Sequence, residues 1–299
     1  EIFIEIGMTD AALSNLEQAT TYFGQTRDPF AMIAVSLDMG KVYYAAGRYP
    51  EAIASLQTTI ADAEKHDLPT AIGMCHEVLG QTYVATNEPT AALGHFQTAI
   101  DLFTKTSRVM EAARVQARMG QVYAGQRKFQ KADTYYATAL KKFQELSDRL
   151  NESATLYALG KSKLDQHDLE SAQRYLRQSI DVTEDIRRTP TTNDLTAAFS
   201  ATIHDRYQRY IDCLMLMKKN RPGENFETTA FELSEQERGR SLKELLQAIQ
   251  TNLIPGIDPQ LAQQEQSLRQ SLNAKENYKV ALLSQKYDAK QLAALDAEL

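Results

Sequence analysis

Seven side chains in this sequence are of the types that do nucleophilic, acid–base or metal chemistry near neutral pH: His66, His76, His95, His167, His204, Cys75 and Cys213. Cys75 and His76 are chain neighbours, so on a helix they point about 100° apart and cannot work as a nucleophile–base pair. Cys75 stands three residues after Ile72 and four before Leu79, the place of a small packing residue. Cys213, within Ile211-Asp212-Cys213-Leu214, also reads as core. His204 and Cys213 share a helical stretch but sit too far apart along it to touch. His95, beside Phe96 in mid-helix, reads as interfacial or exposed. No two histidines have the i,i+4 spacing of a helix-borne zinc site. Gly40 and Gly47 lack the Gly-Lys-Ser/Thr ending of a phosphate loop. The carboxylates are plentiful but follow no paired catalytic pattern and read as solvated faces. The expectation is a chain that is no enzyme by itself, with no catalytic residue, no metal site and no cofactor.

Composition narrows the remaining classes. The 299 residues carry 33 Lys+Arg and 39 Asp+Glu, a formal net charge of −6, which argues against a broad nucleic-acid footprint. A nucleic-acid reading would rest on Arg187, Arg188 and a local basic strip alone. No apolar run approaches the roughly 18 residues of a membrane span. Two cysteines are too few for a disulfide framework. A cytoplasmic location is the expectation. The chain starts at Glu1 without Met, so a trimmed piece of a longer chain is expected.

The elements that would position any site repeat every forty residues. Glycines stand at Gly40, Gly80, Gly120 and Gly160. Before them come Met39, Leu79, Met119 and Leu159, and three residues after them Tyr43, Tyr83 and Tyr123, with Lys163 breaking the column. Alanine recurs at Ala12, Ala52, Ala92, Ala132 and Ala172, and a large apolar column runs Leu16, Leu56, Phe96, Tyr136, Leu176. Alanine and large residue are four apart, one helical turn. Each repeat therefore reads as two helices and a turn, with small residues where backbones approach. Pro50 and Pro89 mark the starts of second helices. Pro29 and Pro69 mark the turn into the next repeat, with Asp28 a candidate N-cap.

This small/large pattern resembles the tetratricopeptide repeat (TPR), in a variant lengthened from about 34 to 40 residues. The resemblance implies an all-α fold, a right-handed α-solenoid of TPR helix hairpins with a C-terminal helical extension. The expected domains are 1–185, a TPR array of a half repeat plus four repeats; 186–257, degenerate or terminal TPR-like helices; and 258–299, an amphipathic, coiled-coil-like extension that is truncated. Residues 1–6 read as the stump of a preceding helix, and Ile186 to Leu195, with Pro190, as a loop. The fourth repeat departs most, with Lys163 for Tyr and Ser179 for the alanine of Ala99 and Ala139.

Further along, Ala230, Phe231, Ser234, Glu235, Arg238, Arg240, Leu242, Leu245 and Leu246 resemble the helix that closes the array in TPR proteins carrying a C-terminal CHAT (caspase-like peptidase) domain. Gly239 stands where that family more often has Ala. The resemblance implies a downstream peptidase domain, not contained in this sequence, and an intramolecular contact with it.

TPR superhelices turn the first helix of each repeat toward a concave groove. The resemblance therefore assigns Lys41, Gln81, Gln121 and Lys161, each just after a column glycine, to that groove, with Arg114 and Arg118 before the third glycine and Tyr44 and Tyr157 as aromatic surface. These eight form the candidate partner-binding groove: a modest positive strip suited to an acidic or carboxylate-bearing protein or peptide. Arg114 and Arg118 match the basic pair of the family's carboxylate-clamp subclass, whereas Leu37, Lys41 and Val78 depart from it, which speaks against a chaperone-tail ligand. The expected function is a non-enzymatic protein- or peptide-binding scaffold or sensor arm of a larger regulatory protein, of the CHAT-peptidase type. The alternative is a stand-alone TPR peptide-sensing signalling regulator.

Overall fold

The computed structural model describes residues 9–26, 28–188 and 196–252, and every regular element among them is an α-helix. The helices are α1 (Thr9–Thr26), α2 (Pro29–Ala45), α3 (Tyr49–Lys65), α4 (Pro69–Ala85), α5 (Pro89–Lys105), α6 (Val109–Gly125), α7 (Phe129–Glu145), α8 (Arg149–Asp165), α9 (Leu169–Arg188), α10 (Thr196–Asn220) and α11 (Phe226–Asn252). The chain divides into two compact units, Glu1–Val182 and Thr183–Leu299.

In the first unit a helix begins every twenty residues from Pro29 to Leu169, and each helix from α2 to α8 is 17 residues long. The forty-residue repeat is thus two helix–turn units of equal length. The turns are copies of one another. Each places a left-handed residue at the same step: Gly47, Asp67, Asn87, Ser107, Arg127, Ser147 and His167, with φ between 50° and 72°. In the first, the Gly47 N–H donates to the Tyr44 carbonyl at 3.0 Å and the Arg48 N–H to the Tyr43 carbonyl at 2.8 Å. That pattern satisfies the carbonyls a helix end leaves open. Only Gly47 takes this backbone without a steric cost, since a side chain there costs on the order of 1 kcal/mol.

Helix starts follow the sequence signals. Asp28 accepts from the Phe30 and Ala31 N–H groups at 3.0 and 3.1 Å and caps α2. Pro29 and Pro69, which mark the turn into the next repeat, are the first residues of α2 and α4, where a missing N–H breaks no helical bond. Asp148 caps α8 through the Asn151 N–H at 3.1 Å.

Within each hairpin the column glycine meets the large residue sixteen positions later. A Cβ would lie 2.6 Å from Leu56 at Gly40, 2.7 Å from Tyr136 at Gly120 and 2.7 Å from Leu176 at Gly160, and at Gly80 it would run into the Phe96 ring. The four glycines occupy equivalent places. They let the two helix backbones come close enough for Leu56, Phe96, Tyr136 and Leu176 to be buried. The cores are shared between neighbours. Leu37 and Leu56 of one repeat pack with Cys75, Val78 and Leu79 of the next. Phe96 and Phe103 pack with Ala112, Val115 and Met119. Stability therefore comes from stacking, as each hairpin has an apolar face it cannot bury alone.

The two departures of the fourth repeat are both polar substitutions with polar answers. Lys163 Nζ reaches Asp133 Oδ2 at 2.6 Å, tying α8 to α7. Ser179 Oγ donates to the Ser153 carbonyl at 2.9 Å while Ser153 Oγ donates to the Ser179 carbonyl at 3.2 Å.

In the second unit α10 buries Ile203, Tyr207, Tyr210, Leu214 and Met217 on one face, and α11 contributes Phe226 and Ala230. Asn220-Arg221-Pro222-Gly223 ends α10 as its composition implies. Buried Arg206 donates to Thr183 Oγ1, and the Tyr207 hydroxyl donates to Glu184 Oε1 at 3.2 Å. The expected loop does not begin at Ile186, because α9 continues through it to Arg188. The remainder of that loop, the stump at 1–6, the extension 258–299 and the side chains of Arg187, Arg188, Arg240, Leu242, Leu245 and Leu246 lie outside the described residues.

Candidate functional site

The eight residues assigned to the groove lie on the first helices of the four hairpins. Lys41 and Tyr44 are on α2, Gln81 on α4, Arg114, Arg118 and Gln121 on α6, and Tyr157 and Lys161 on α8. Gln121 and Lys161 are exposed; the other six are half-buried. Lys41 Nζ pairs with Asp38 at 2.8 Å. Tyr44 leans on the core around Leu37 and Cys75, its ring 6.2 Å from that of Tyr49. Lys161 Nζ sits 5.3 Å from the centre of the Tyr157 ring, a cation–π pair one turn long.

The arginines meet a residue the sequence did not single out. Glu77, on α4, is buried at 4% exposure. Its Oε1 accepts from Arg114 Nε at 2.8 Å and its Oε2 from Arg114 Nη2 at 2.7 Å. Arg118 Nε adds a third bond to Oε1 at 3.3 Å. The two-point grip is the strong form of this pair, and it pushes the Arg114 guanidinium pKa up. The first carboxylate these arginines hold is therefore the protein's own, and it links the first helices of successive repeats. Two guanidinium groups on one carboxylate leave one net positive charge within the cluster itself, while Glu111 and Asp148 also act on Arg114 from outside it. That net charge is carried by side chains 37% and 36% exposed around a carboxylate that is not. Glu77 falls in the column Leu37, Glu77, Ala117, Tyr157. A charge in a column otherwise holding leucine, alanine and tyrosine was the available signal.

Among the titratable groups, Cys75 is buried and its thiol is pushed up to about 12 by that burial, so it is no thiolate nucleophile. Cys213 is buried too. His204 Nδ1 lies 2.9 Å from Glu237 Oε1 at the surface of the second unit. His76 and His95, read singly from the sequence, are brought together across α4 and α5, Nδ1 to Nδ1 at 2.8 Å, with the Tyr83 ring stacked on His95 at 5.2 Å. His95 is thus interfacial. Among the described residues no three His, Cys, Asp or Glu side chains converge, and no helix is long and apolar enough to cross a membrane.

The arrangement matches known proteins at the level of fold. A tetratricopeptide repeat family model matches residues 30–105 and 111–185. No curated protein matches the chain significantly. Among solved structures, BtubC (BKLC) from P. vanneervenii superposes with a TM-score of 0.60 at 14% identity, covering 84% of this chain and 93% of that one. A Signal Transduction ATPase with Numerous Domains (STAND) protein with a tetratricopeptide repeat sensor, from Pyrococcus horikoshii, gives a TM-score of 0.60 at 13% identity over 84% of this chain and 37% of that one. RapI in its apo form gives 0.57 at 13% identity, with 81% and 96% covered.

Proposed function

Because this chain belongs to the tetratricopeptide repeat family, whose right-handed α-solenoid is a protein-interaction scaffold, we propose that it binds a carboxylate-bearing protein or peptide along the first helices of its hairpins and serves as the sensor arm of a larger regulatory protein. The observation that carries the reading is the Glu77–Arg114–Arg118 cluster. Arg114 is committed to Glu77 at two points, whereas Arg118 makes one 3.3 Å bond and keeps the rest of its guanidinium available to a second carboxylate. Lys161 over Tyr157, and exposed Gln121, continue the polar surface along the same set of helices. An acidic partner fits the residual positive charge, while a chain of net charge −6 lacks the broad basic surface that nucleic acid takes.

The effector in this reading is a CHAT-type, caspase-like peptidase following the chain, supported by the run from Ala230 to Leu246. The repeats of the Pyrococcus horikoshii protein are likewise named a sensor within a larger signalling ATPase. A stand-alone peptide-sensing regulator in the cytoplasm is the second reading; the match to RapI takes in 96% of that solved chain, so an array of this extent also occurs without a large further domain in the same solved chain.

Panning a random peptide library with free C-terminal carboxylates against the full chain tests the shared premise. Enrichment of acidic peptides that lose binding when amidated supports it. Enrichment of basic or purely apolar peptides overturns it. Removing residues 259–299 from a protein that carries the effector separates the two readings, because regulated proteolysis is lost only if the array acts as its arm.

A further inference from the structure

Two neighbouring hairpins carry opposite charge at the turn that joins their helices. From Gly125 to Ala132, where α6 passes to α7, the chain has Arg127, Lys128 and Lys131 and no acid. Forty residues on, from Asp165 to Ala172, where α8 passes to α9, it has Asp165, Asp168 and Glu170 and no Lys or Arg. Lys128 and Asp168 hold the same place in the repeat. In the first hairpin that place is Arg48, which meets Glu51 at 2.9 Å and is neutralised there; in the second it is Glu88, the one charge of its turn. We propose that the third and fourth turns form a surface for a second copy of this chain, paired about a two-fold axis so that the basic turn of each copy meets the acidic turn of the other.

The two turns lie side by side. Lys163, two residues before Asp165, reaches Asp133, two residues after Lys131, at 2.6 Å. Their charges are nonetheless not spent on each other. Among the described residues Arg127, Lys128, Lys131 and Asp165 form no ion pair, and all four are exposed. Arg127 lies over the Phe129 ring at 5.8 Å and Lys131 over the Tyr123 ring at 5.4 Å. Elsewhere in the array the sequence supplies a carboxylate three residues away, as for Lys65 with Asp62, Lys142 with Glu145 and Arg149 with Glu152.

The occupant follows from the order of signs. An acidic partner broad enough to cover the basic turn overlaps the acidic turn beside it and is repelled there, and a basic partner meets the reverse. A surface that runs plus then minus is matched by one that runs minus then plus, and a half-turn rotation of this same surface supplies it. Three cations then face three carboxylates twice over. Two chains of net charge −6 repel at long range. At about 0.1 M salt the Debye length of about 10 Å screens that repulsion more than it screens charges in contact. The surface uses no residue of the Arg118 face, so this pairing and the peptide-binding reading fail separately.

Sedimentation velocity of the full chain, loaded at up to about 0.1 mM, tests the pairing. A reversible monomer–dimer equilibrium is expected at about 0.1 M NaCl, with a dissociation constant at least tenfold larger at about 1 M, where the Debye length is about 3 Å. Two double variants test the contacts: Lys128→Glu with Lys131→Glu makes both turns acidic, and Asp165→Lys with Glu170→Lys makes both basic. Asp168 is kept, because it caps α9 by accepting from the Ser171 N–H at 3.1 Å. Each double variant alone should self-associate at least tenfold more weakly than the parent, and an equimolar mixture should recover a dimer of one copy of each. The salt response of the parent needs no variant. A parent that stays monomeric at about 0.1 M NaCl overturns the proposal and leaves the basic turn to a foreign acidic partner. A dimer indifferent to salt and to both variants, or folded variants that do not pair when mixed, overturns it as well.

Discussion

Arg114 holds Glu77 by two hydrogen bonds, 2.8 and 2.7 Å, from the first helix of one repeat to the first helix of the repeat before it. A buried carboxylate and a half-exposed guanidinium make this junction asymmetric. Arg114→Ala strands a carboxylate of 4% exposure with only the longer Arg118 bond, and should lower stability by about 2 kcal/mol. Glu77→Leu puts the residue of the equivalent place, Leu37, into the column and leaves Arg114 within reach of water. It should cost under about 1 kcal/mol. Urea unfolding of both variants checks the order; equal losses would show that burial of Glu77 does not set the energetics.

Two glycines in adjacent helices should respond to alanine with opposite signs. At Gly80 a Cβ meets the Phe96 ring, which has little room to turn, whereas at Gly94 nothing lies within 4 Å. Gly80→Ala should destabilise by about 1–2 kcal/mol, overpacking outweighing propensity. Gly94→Ala should stabilise by up to about 1 kcal/mol. Thermal melting of the pair decides it. A stabilised Gly80→Ala would mean that the glycine columns are not close-approach points.

The left-handed turn residues offer a second pair. Arg127, with φ of 58°, occupies the step that Gly47 occupies at 72°. Arg127→Gly removes the Cβ conflict and should raise stability by about 0.5 kcal/mol, the relief being partly offset by unfolded-state entropy. Gly47→Ala should cost about 1 kcal/mol. Equilibrium unfolding of both variants measures the difference, and no difference would deny that the seven turns share one backbone.

The histidine pair should make stability fall with acid. A histidine whose pKa is lowered by folding binds its proton more readily in the unfolded chain. Its contribution is fully present above the unfolded value of about 6.5 and is lost as pH falls from there toward the folded value, about 4 for His76. His76→Asn should flatten the part of the stability–pH curve between about pH 6.5 and pH 4 and change little at pH 8. A curve of unchanged slope would mean that His76 titrates as it does in the unfolded chain.

The period was readable from the sequence because packing residues repeat in type: glycine against Leu56, Phe96, Tyr136 or Leu176, and alanine in the close approaches. What escaped was pairing between side chains whose types do not repeat. His76 and His95 are 19 apart, as are Ser36 and Ser55, where Ser55 Oγ donates to the Ser36 carbonyl at 3.2 Å. Tyr83 stacks on His95 as Tyr123 stacks on Tyr135. The period therefore fixed which columns face each other, but a column holding Ser, His, Tyr and Tyr carries no recognisable motif. Glu77 escaped for a different reason. A lone glutamate on a helix reads as solvated until the next repeat is laid beside it and two arginines arrive from 37 and 41 residues away.

The central claim, that the face of the first helices grips a carboxylate with Arg118, is tested most directly by calorimetry with one acidic peptide carrying a free C-terminus. The titration is run on the parent, on Arg118→Ala and on Lys65→Ala, whose side chain lies on the second helix α3 at 69% exposure. The account expects binding to weaken at least tenfold in Arg118→Ala and to remain within twofold of the parent in Lys65→Ala, an ion-pair loss of about 1.4 kcal/mol or more confined to one face. Equal binding by all three proteins would contradict it.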